Sequence, residues 1–370
     1  MIRIATVFSG IGAPEQALKQ LGVDHKIVFA CDNGERYLKQ TAEEIEQLIK
    51  DSPDKTVAQV VRELYDATKK ANHVKTSYFA NYEISEENWH DDIRFLDGKP
   101  YKGKVDIFVG GSPCQSFSTY GHRKGLEDTR GTLFYDYARL VQEIKPKAFI
   151  FENVTGLLNH DGGRTWQVIH DTFEMLQYDV KMDILDAQDY NLPQLRKRVF
   201  VVGIRQDLLC DEFQFPKKVP LTHKSTEYLD PVVDDKYYLG KKGFEFVTLV
   251  ERNERRARVN QDIIGCQTAN QQFNWVGDFR VEKPKPHHYE DKRIYVGQFN
   301  GEDAVARKMT PAELLRLMGF EDFKIAVDDN AMWRQTGNSI AVPVLKAVFQ
   351  SIFDTLKTSR VDPLVLEDYL

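Results

Sequence analysis

Three short runs carry side chains able to do covalent chemistry on an electron-poor ring. The first is Gly110-Gly111-Ser112-Pro113-Cys114-Gln115-Ser116-Phe117-Ser118. Its cysteine follows an apolar run (DIFV, 106–109), and the glycine–proline turn fixes it in an exposed loop, as suits a nucleophile rather than a packed core thiol. A free thiol is only a few per cent ionised at neutral pH, so this one needs local activation. The second run is Glu152-Asn153-Val154, just past AFIF at 148–151, with a carboxylate that can bind or protonate a base edge. The third is QLRKR at 194–198, entering RVFVVGI. Arg196 and Arg198 are two apart, so in extended chain both guanidinia point to one face. A nucleophile, a carboxylate and a paired guanidinium on one rim form a site for covalent attack on such a ring.

The surrounding pattern says what positions them. Residues 2–8 (IRIATVF) read as a buried strand, GIGAPEQALKQLG as a glycine turn opening a helix, and 26–31 (KIVFAC) as a second strand ending at Asp32. This is a βαβ unit. Further strands are predicted at 106–109, 148–151 and 198–204, with helices at 55–69 and 132–143, and the alternation indicates a mostly parallel, doubly wound α/β sheet. The turn Phe8-Ser9-Gly10-Ile11-Gly12 suits a charged ligand at a helix N-terminus. A dinucleotide fingerprint wants a third glycine where Glu15 stands, so a nucleoside without pyrophosphate fits better, with Asp32 placed to accept from ribose hydroxyls. From about 206 the periodicity weakens and prolines recur at 216, 220, 231, 284 and 286. Order returns at 308–319, where Thr310 caps, Pro311 takes the first turn and Glu313 sits third, and again in an apolar helix at 338–356. The expected division is 1–205, a smaller irregular domain at 206–305, and a return to the first at 306–370.

Composition narrows the class. The four cysteines (31, 114, 210, 266) form no CxxC pair, so neither a disulfide framework nor a metal site is expected. The other three read as inert thiols. No signal-peptide pattern and no 18-residue apolar run is seen, so a cytoplasmic chain with no membrane span is expected. The net charge of -6 disfavours a nucleic-acid partner only on average. Over 196–224 seven Lys/Arg face three Asp/Glu, and over 236–258 the same balance of +4 recurs. A polyanion can be gripped locally. In that region Lys241, Lys242, Arg252, Arg255, Arg256 and Arg258 are phosphate or guanine readers by type, and Gln271-Gln272 are adenine readers.

In the order of its motifs the chain resembles the DNA (cytosine-5)-methyltransferases of the compact bacterial and phage restriction–modification type. The resemblance runs along nearly the whole chain: VFSGIG, Asp32, Asp92-Ile93, GSPCQSF, ENV, QLRKR, a variable region, RKMTPAELLRLMGF and RQTGNSIAVPVL. It implies a Rossmann-like methyltransferase sheet with helices on both faces, plus a target-recognition domain at 206–305. It implies S-adenosylmethionine, with S-adenosylhomocysteine as product, on Phe8, Ser9, Gly10, Ile11, Gly12, Asp32, Asp92, Ile93, Pro113, Leu133, Asn338 and Ser339. Cys114 would be the nucleophile and Glu152, Arg196 and Arg198 its helpers. The target cytosine would be flipped from double-stranded DNA, with Gln115, Ser118 and Tyr120 in the closing loop and Lys241, Lys242, Arg255 and Arg256 on the DNA. A monomer, nucleoid-associated and genetically linked to a cognate endonuclease, is the expected setting. Thr6 and Ala13 depart from the family pattern, and the stretch from Asp32 to Asp92 is longer than in the smallest members. A tRNA-directed enzyme of the same fold stays open, although 206–305 has no Cys-Phe-Thr run. A decayed DNA-binding protein is disfavoured because every catalytic position is filled. An RNA-type second cysteine is replaced by Glu152, and an amino-group methyltransferase would carry Asn or Asp before Pro-Pro-aromatic.

Overall fold

The computed structural model describes residues 1–112, 133–249, 256–273 and 275–360. The chain divides into two compact units, Met1–Leu185 with Lys197–Lys217 and Leu345–Leu370, and Asp186–Arg196 with Lys218–Val344.

The first unit is built on a seven-stranded sheet. Its strands are β1 (Ile2–Val7), β2 (His25–Cys31), β3 (Trp89–His90), β4 (Ile107–Gly110), β5 (Ala148–Val154), β6 (Tyr178–Asp186) and β7 (Lys197–Arg205). They lie in the order β3-β2-β1-β4-β5-β7-β6. β1 pairs in parallel with β2 and β4, and β4 in parallel with β5, whereas β7 runs antiparallel to β5 with Val154 opposite Arg198. The carboxyl ends of β1 to β5 and the amino end of β7 therefore share one edge, where open α/β sheets bind ligands. Ala5, Val7, Phe29, Phe108, Phe149, Phe151, Val199 and Val201 form one core with helices Leu133–Ile144 and Arg164–Met175. The intervening Ile4, Ile107, Ile150, Phe200 and Val202 are equally buried, so both faces of the sheet are covered.

The expected strands all form, and the helix expected at 55–69 spans Val57–Ala67 behind a Thr56–Gln59 capping box. β3 and β6 are additions to the sequence reading. β3 is two residues long, and β6 is largely exposed or half-buried along its length, so neither leaves an apolar run. The helix expected at 338–356 begins only at Val342 and runs to Leu356, and a separate helix, Asp329–Asn338, precedes it. Ser339 is extended (φ -79, ψ 167), and Pro343 sits in the first turn of the second helix, where its missing N–H costs nothing. The stretch Asp329–Leu356 contains an 18-residue apolar window, but the break at Ser339 divides it into helices of ten and fifteen residues and half of that window is buried in the protein.

The second unit is more regular than its composition suggests. Strands β8 (Ala257–Val259), β9 (Gly277–Glu282), β10 (Gly297–Phe299) and β11 (Glu302–Lys308) form a sheet ordered β10-β11-β9-β8. Helix Lys241–Thr248 packs Phe244 and Val247 into a core with Phe279, Val281 and Ala306. The strands are short and their burial does not alternate cleanly, which hides them from a period-two reading. The unit differs from the expected 206–305 at both ends, taking in 186–196 and continuing past 305 to Val344. Glu313 shows why its later part stays there. Beyond closing the predicted cap on Thr310, it accepts two buried guanidinium bonds from Arg307, each 2.9 Å, and the Asp230 N–H at 2.9 Å.

At the amino edge of the first sheet, Asp106 accepts from Arg3 through its backbone N–H (2.9 Å) and guanidinium (3.1 and 3.0 Å), and from Lys147 at 3.0 Å. Burial alone would raise this carboxyl, but Arg3 and Lys147 outweigh it and hold it below the usual aspartate range. A depressed carboxyl stabilises the fold fully above its unfolded pKa and loses that contribution as pH falls through the lower folded value. Asp106→Asn is expected to cost about 1.5–3 kcal/mol at neutral pH. It should also flatten the acid limb of stability against pH, measured by denaturant unfolding from pH 7 to pH 3.

Candidate active site

The loop after β1 holds three alternate residues in the left-handed region: Phe8 (φ 53), Gly10 (φ 52) and Gly12 (φ 74). For Phe8 this is strain of about 1–3 kcal/mol, the kind that accumulates at functional loops. Ser9 fastens the turn to β2, since its Oγ accepts the Cys31 N–H at 3.0 Å and lies 2.8 Å from the Thr6 hydroxyl. Asp32 spans two turns, accepting the Gly10 N–H at 2.9 Å on one oxygen and the Gly34 N–H at 2.8 Å on the other. Burial pushes its carboxyl above the ordinary value, against the pull of those two N–H groups. Each oxygen keeps a lone pair for a hydroxyl donor. The space beside Gly10 is open, its virtual Cβ meeting only the Phe8 carbonyl at 3.9 Å. A nucleoside ligand fits this arrangement. Glu15, at the place of the missing third glycine, turns inward to accept from Thr6 Oγ1 at 3.1 Å.

Asp92 and Ile93 follow β3. Ile93 buries its side chain in the core. Asp92 is heavily engaged, accepting from the Arg94 N–H (3.1 Å), the Arg94 guanidinium (down to 2.6 Å) and the Tyr65 hydroxyl (2.8 Å). Leu133 is the first described residue of the helix Leu133–Ile144 and packs against the core.

Beyond β4, Gly111 lies so close to β5 that a Cβ there would sit 2.5 Å from the Glu152 carbonyl and 3.0 Å from its carboxylate. No larger residue fits. Asn153 holds the same loop, donating from Nδ2 to the Ser112 carbonyl at 2.9 Å. Glu152 pairs with the Arg198 guanidinium at 3.2 Å, both side chains mostly covered. The antiparallel register brings these residues together across β5 and β7, which strand spacing alone could not reveal. Pro113, Cys114, Gln115, Ser118 and Tyr120 lie outside the described residues, as does Arg255.

Arg196 does not form the expected pair with Arg198. It precedes β7 and belongs to the second unit, where its guanidinium donates to the carbonyls of Gln267 (2.7 Å), Gly337 (3.0 Å) and Ser339. Extended spacing misleads here because the strand begins only at Lys197. Asn338 and Ser339 also belong to the second unit, Asn338 exposed and Ser339 buried. Gly337 before them allows a close approach, since a Cβ would lie 2.2 Å from the Thr268 backbone.

Among the basic residues, Lys241, Lys242 and Arg256 are exposed, Lys241 lying 3.8 Å from Glu245. Arg258 is paired with Asp278 at 2.8 Å. Gln271 and Gln272, read from sequence as base readers, are buried instead. Gln272 donates to the Asp278 carbonyl at 3.0 Å and Gln271 accepts from Thr268 at 3.2 Å. Asp235, His287 and His288 cluster nearby, but His288 Nδ1 accepts the Lys285 N–H at 3.1 Å. Its Nε2 therefore carries the proton and lies 3.8 Å from the Asp235 carboxylate, the reverse of a metal-binding imidazole.

The family described as C-5 cytosine-specific DNA methylase matches residues 55–354. The chain is 38% identical over 288 residues to the Type II methyltransferase M.SsoII of Shigella sonnei, covering 76% of this chain and 71% of that protein. It is 36% identical over 274 residues to the Type II methyltransferase M1.ScrFI of Lactococcus lactis subsp. cremoris, covering 73% and 68%. The crystal structure of S. pombe Dnmt2 methyltransferase shares the fold with a TM-score of 0.63 at 16% identity, covering 96% of this chain and 99% of that one. With the motif order and a family match over most of its length, the chain belongs to the C-5 cytosine-specific DNA methylases and is a DNA (cytosine-5)-methyltransferase.

Proposed function

We propose that the enzyme methylates C5 of a cytosine flipped out of a specific double-stranded DNA sequence, through a covalent bond from Cys114 to C6. The observation that carries this reading is the Glu152–Arg198 pair at 3.2 Å, packed against Gly111 three residues before Cys114. Carbon 5 of cytosine is too weak a nucleophile to take a methyl group unaided. Addition of the Cys114 thiolate to C6 moves an electron pair toward C5 and turns the ring into an enamine. Glu152 hydrogen-bonds the N3 edge and stabilises the adduct, a contribution of about 10²–10⁴ in rate for this class of assistance. Arg198 holds that carboxylate in place. Once C5 carries the methyl group, loss of the C5 proton to water and departure of the thiolate from C6 restore the aromatic ring. A stacked base cannot reach such a thiol, hence the flipped target.

The other cysteines support Cys114 by contrast. Burial, with Asp92 and Asp32 nearby, pushes the Cys31 thiol well above its ordinary value, and burial raises Cys210. Bound S-adenosylmethionine supplies a methyl group activated by a sulfonium charge. The turn at Phe8–Gly12 and the carboxylate of Asp32 would hold it, with Asp92, Ile93, Pro113, Leu133, Asn338 and Ser339 assigned by family resemblance. Arg196 would act as a brace for the segment around Ser339 rather than as a second catalytic guanidinium. Similarity to Type II methyltransferases supports protective methylation within a restriction–modification system. Target recognition would lie in 206–305.

Cys114→Ser should abolish methylation while cofactor affinity stays within about tenfold, because an alcohol is a far weaker nucleophile than a thiolate. DNA carrying 5-fluorocytosine should trap an adduct on Cys114, and a trapped peptide containing another cysteine would overturn the assignment. Arg198→Ala should lower kcat by about tenfold to a hundredfold through a misplaced Glu152, with cofactor affinity little changed. Neutralising Lys241, Lys242, Arg255 and Arg256 together should reduce the salt slope of DNA binding by about 0.9 for each phosphate no longer neutralised, without altering cofactor affinity. A full slope after all four changes would move the DNA grip elsewhere, toward 196–224.

A further inference from the structure

The long segment between β2 and β3 carries helices Ala42–Lys50, Val57–Ala67 and His73–Asn81. Ile45, Val61 and Tyr65 give it a small core of its own. It is pinned to the sheet at the β3 end by the buried ion pair of Arg36 with Asp91 (2.5 Å), and the Arg36 guanidinium lies 4.6 Å over the Tyr65 ring.

From this segment, one side chain reaches each of the three loops at the carboxyl ends of β1, β2 and β3. The Tyr82 hydroxyl lies 3.1 Å from the Ile11 carbonyl and 2.8 Å from the Gly12 carbonyl, and its ring fills the place of a Gly12 Cβ, 2.2 Å away. Asn72 donates from Nδ2 to the Asp32 carbonyl at 3.0 Å while its Oδ1 caps the helix His73–Asn81 by accepting the Lys75 N–H at 2.9 Å. Tyr65 donates to Asp92 at 2.8 Å. A third hydroxyl, on Tyr78, donates to the buried Glu15 carboxylate at 2.5 Å, behind the first loop. These contacts join residues 27 to 71 positions apart, and none of them uses the Asp32 oxygens left for a ligand.

We propose that residues 33–90 are a built-in clamp for the cofactor loops, with Tyr82, Asn72 and Tyr65 as positioning residues, an assignment that rests on the cofactor reading above. A turn with left-handed residues at 8, 10 and 12 loses much conformational freedom when ordered. Hydroxyl and amide donors on its outer carbonyls meet that cost during folding, so the cofactor meets a preformed site before DNA arrives.

The test uses the full-length enzyme with S-adenosylhomocysteine titrated calorimetrically in the absence of DNA, alongside KM, kcat, DNA affinity and Tm. Tyr82→Phe and Tyr65→Phe remove one hydroxyl each, and Asn72→Asp keeps the helix cap but loses the donor. Each should weaken cofactor binding and raise its KM about three- to tenfold. The kcat at saturating cofactor should stay within about twofold and DNA affinity should not move, the signature of lost uniform binding. A fall in Tm with unchanged KM for all three variants would overturn the clamp, as would a parallel loss of kcat and DNA affinity. Asp32→Ala separates the two layers. If it binds the cofactor like wild type, the cofactor reading itself fails. If it loses tenfold or more while the three clamp variants bind normally, only the clamp fails.

Discussion

The first unit depends on one carboxylate held between two backbone N–H groups. Asp32 receives Gly10 on one oxygen and Gly34 on the other, fixing the ends of β1 and β2 against each other, with the reversal of the sheet order on the far side of β1, next to β4. An uncompensated buried charge would be very costly, and the two N–H bonds make this one tolerable. They do so without a cation. That matters, because a guanidinium would occupy the directions from which hydroxyls must approach.

The other buried acids divide on the same principle. Asp91 and Glu313 are each matched by a buried arginine, Arg36 and Arg307, and are committed to holding the fold. Glu15 takes the Thr6 and Tyr78 hydroxyls on one oxygen and buries the other without a hydrogen-bond partner. Glu152 is intermediate: one arginine anchors it, yet it remains at the open edge, so it is oriented rather than consumed. Gly111 and Asn153 serve that orientation, one by permitting close approach and the other by tying the adjoining loop to β5.

Much of this is legible in the sequence, for identifiable reasons. The strands that can be read are fully buried and leave apolar runs, and the Thr310–Glu313 cap is written in four consecutive residues. What escapes depends on distance along the chain or on burial. The Arg198–Glu152 pair needs the antiparallel register of β7, and the inward turn of Gln271 and Gln272 needs the second unit's core. Arg196 misleads because two-residue spacing means one face only where both residues lie in a strand. The role of the long segment before β3 is invisible in the sequence, since tyrosines at helical spacing look like core, and their hydroxyl partners lie far away along the chain.

Asp92 sharpens the electrostatic division into a requirement. Family resemblance gives it to the cofactor, yet Arg94 and Tyr65 already fill both of its oxygens. Tyr65 is held in a small core and cannot leave without loosening the segment. Arg94 is a different case, with its side chain 36% exposed and its pair with Asp92 local, two residues apart. A pair so exposed on one side gains little from its Coulomb attraction. Of the two partners of Asp92, Arg94 is therefore the one that can swing aside, while Tyr65 keeps the carboxylate aimed. Asp32 is thus held rigidly between two turns, whereas one arginine rotation would free Asp92.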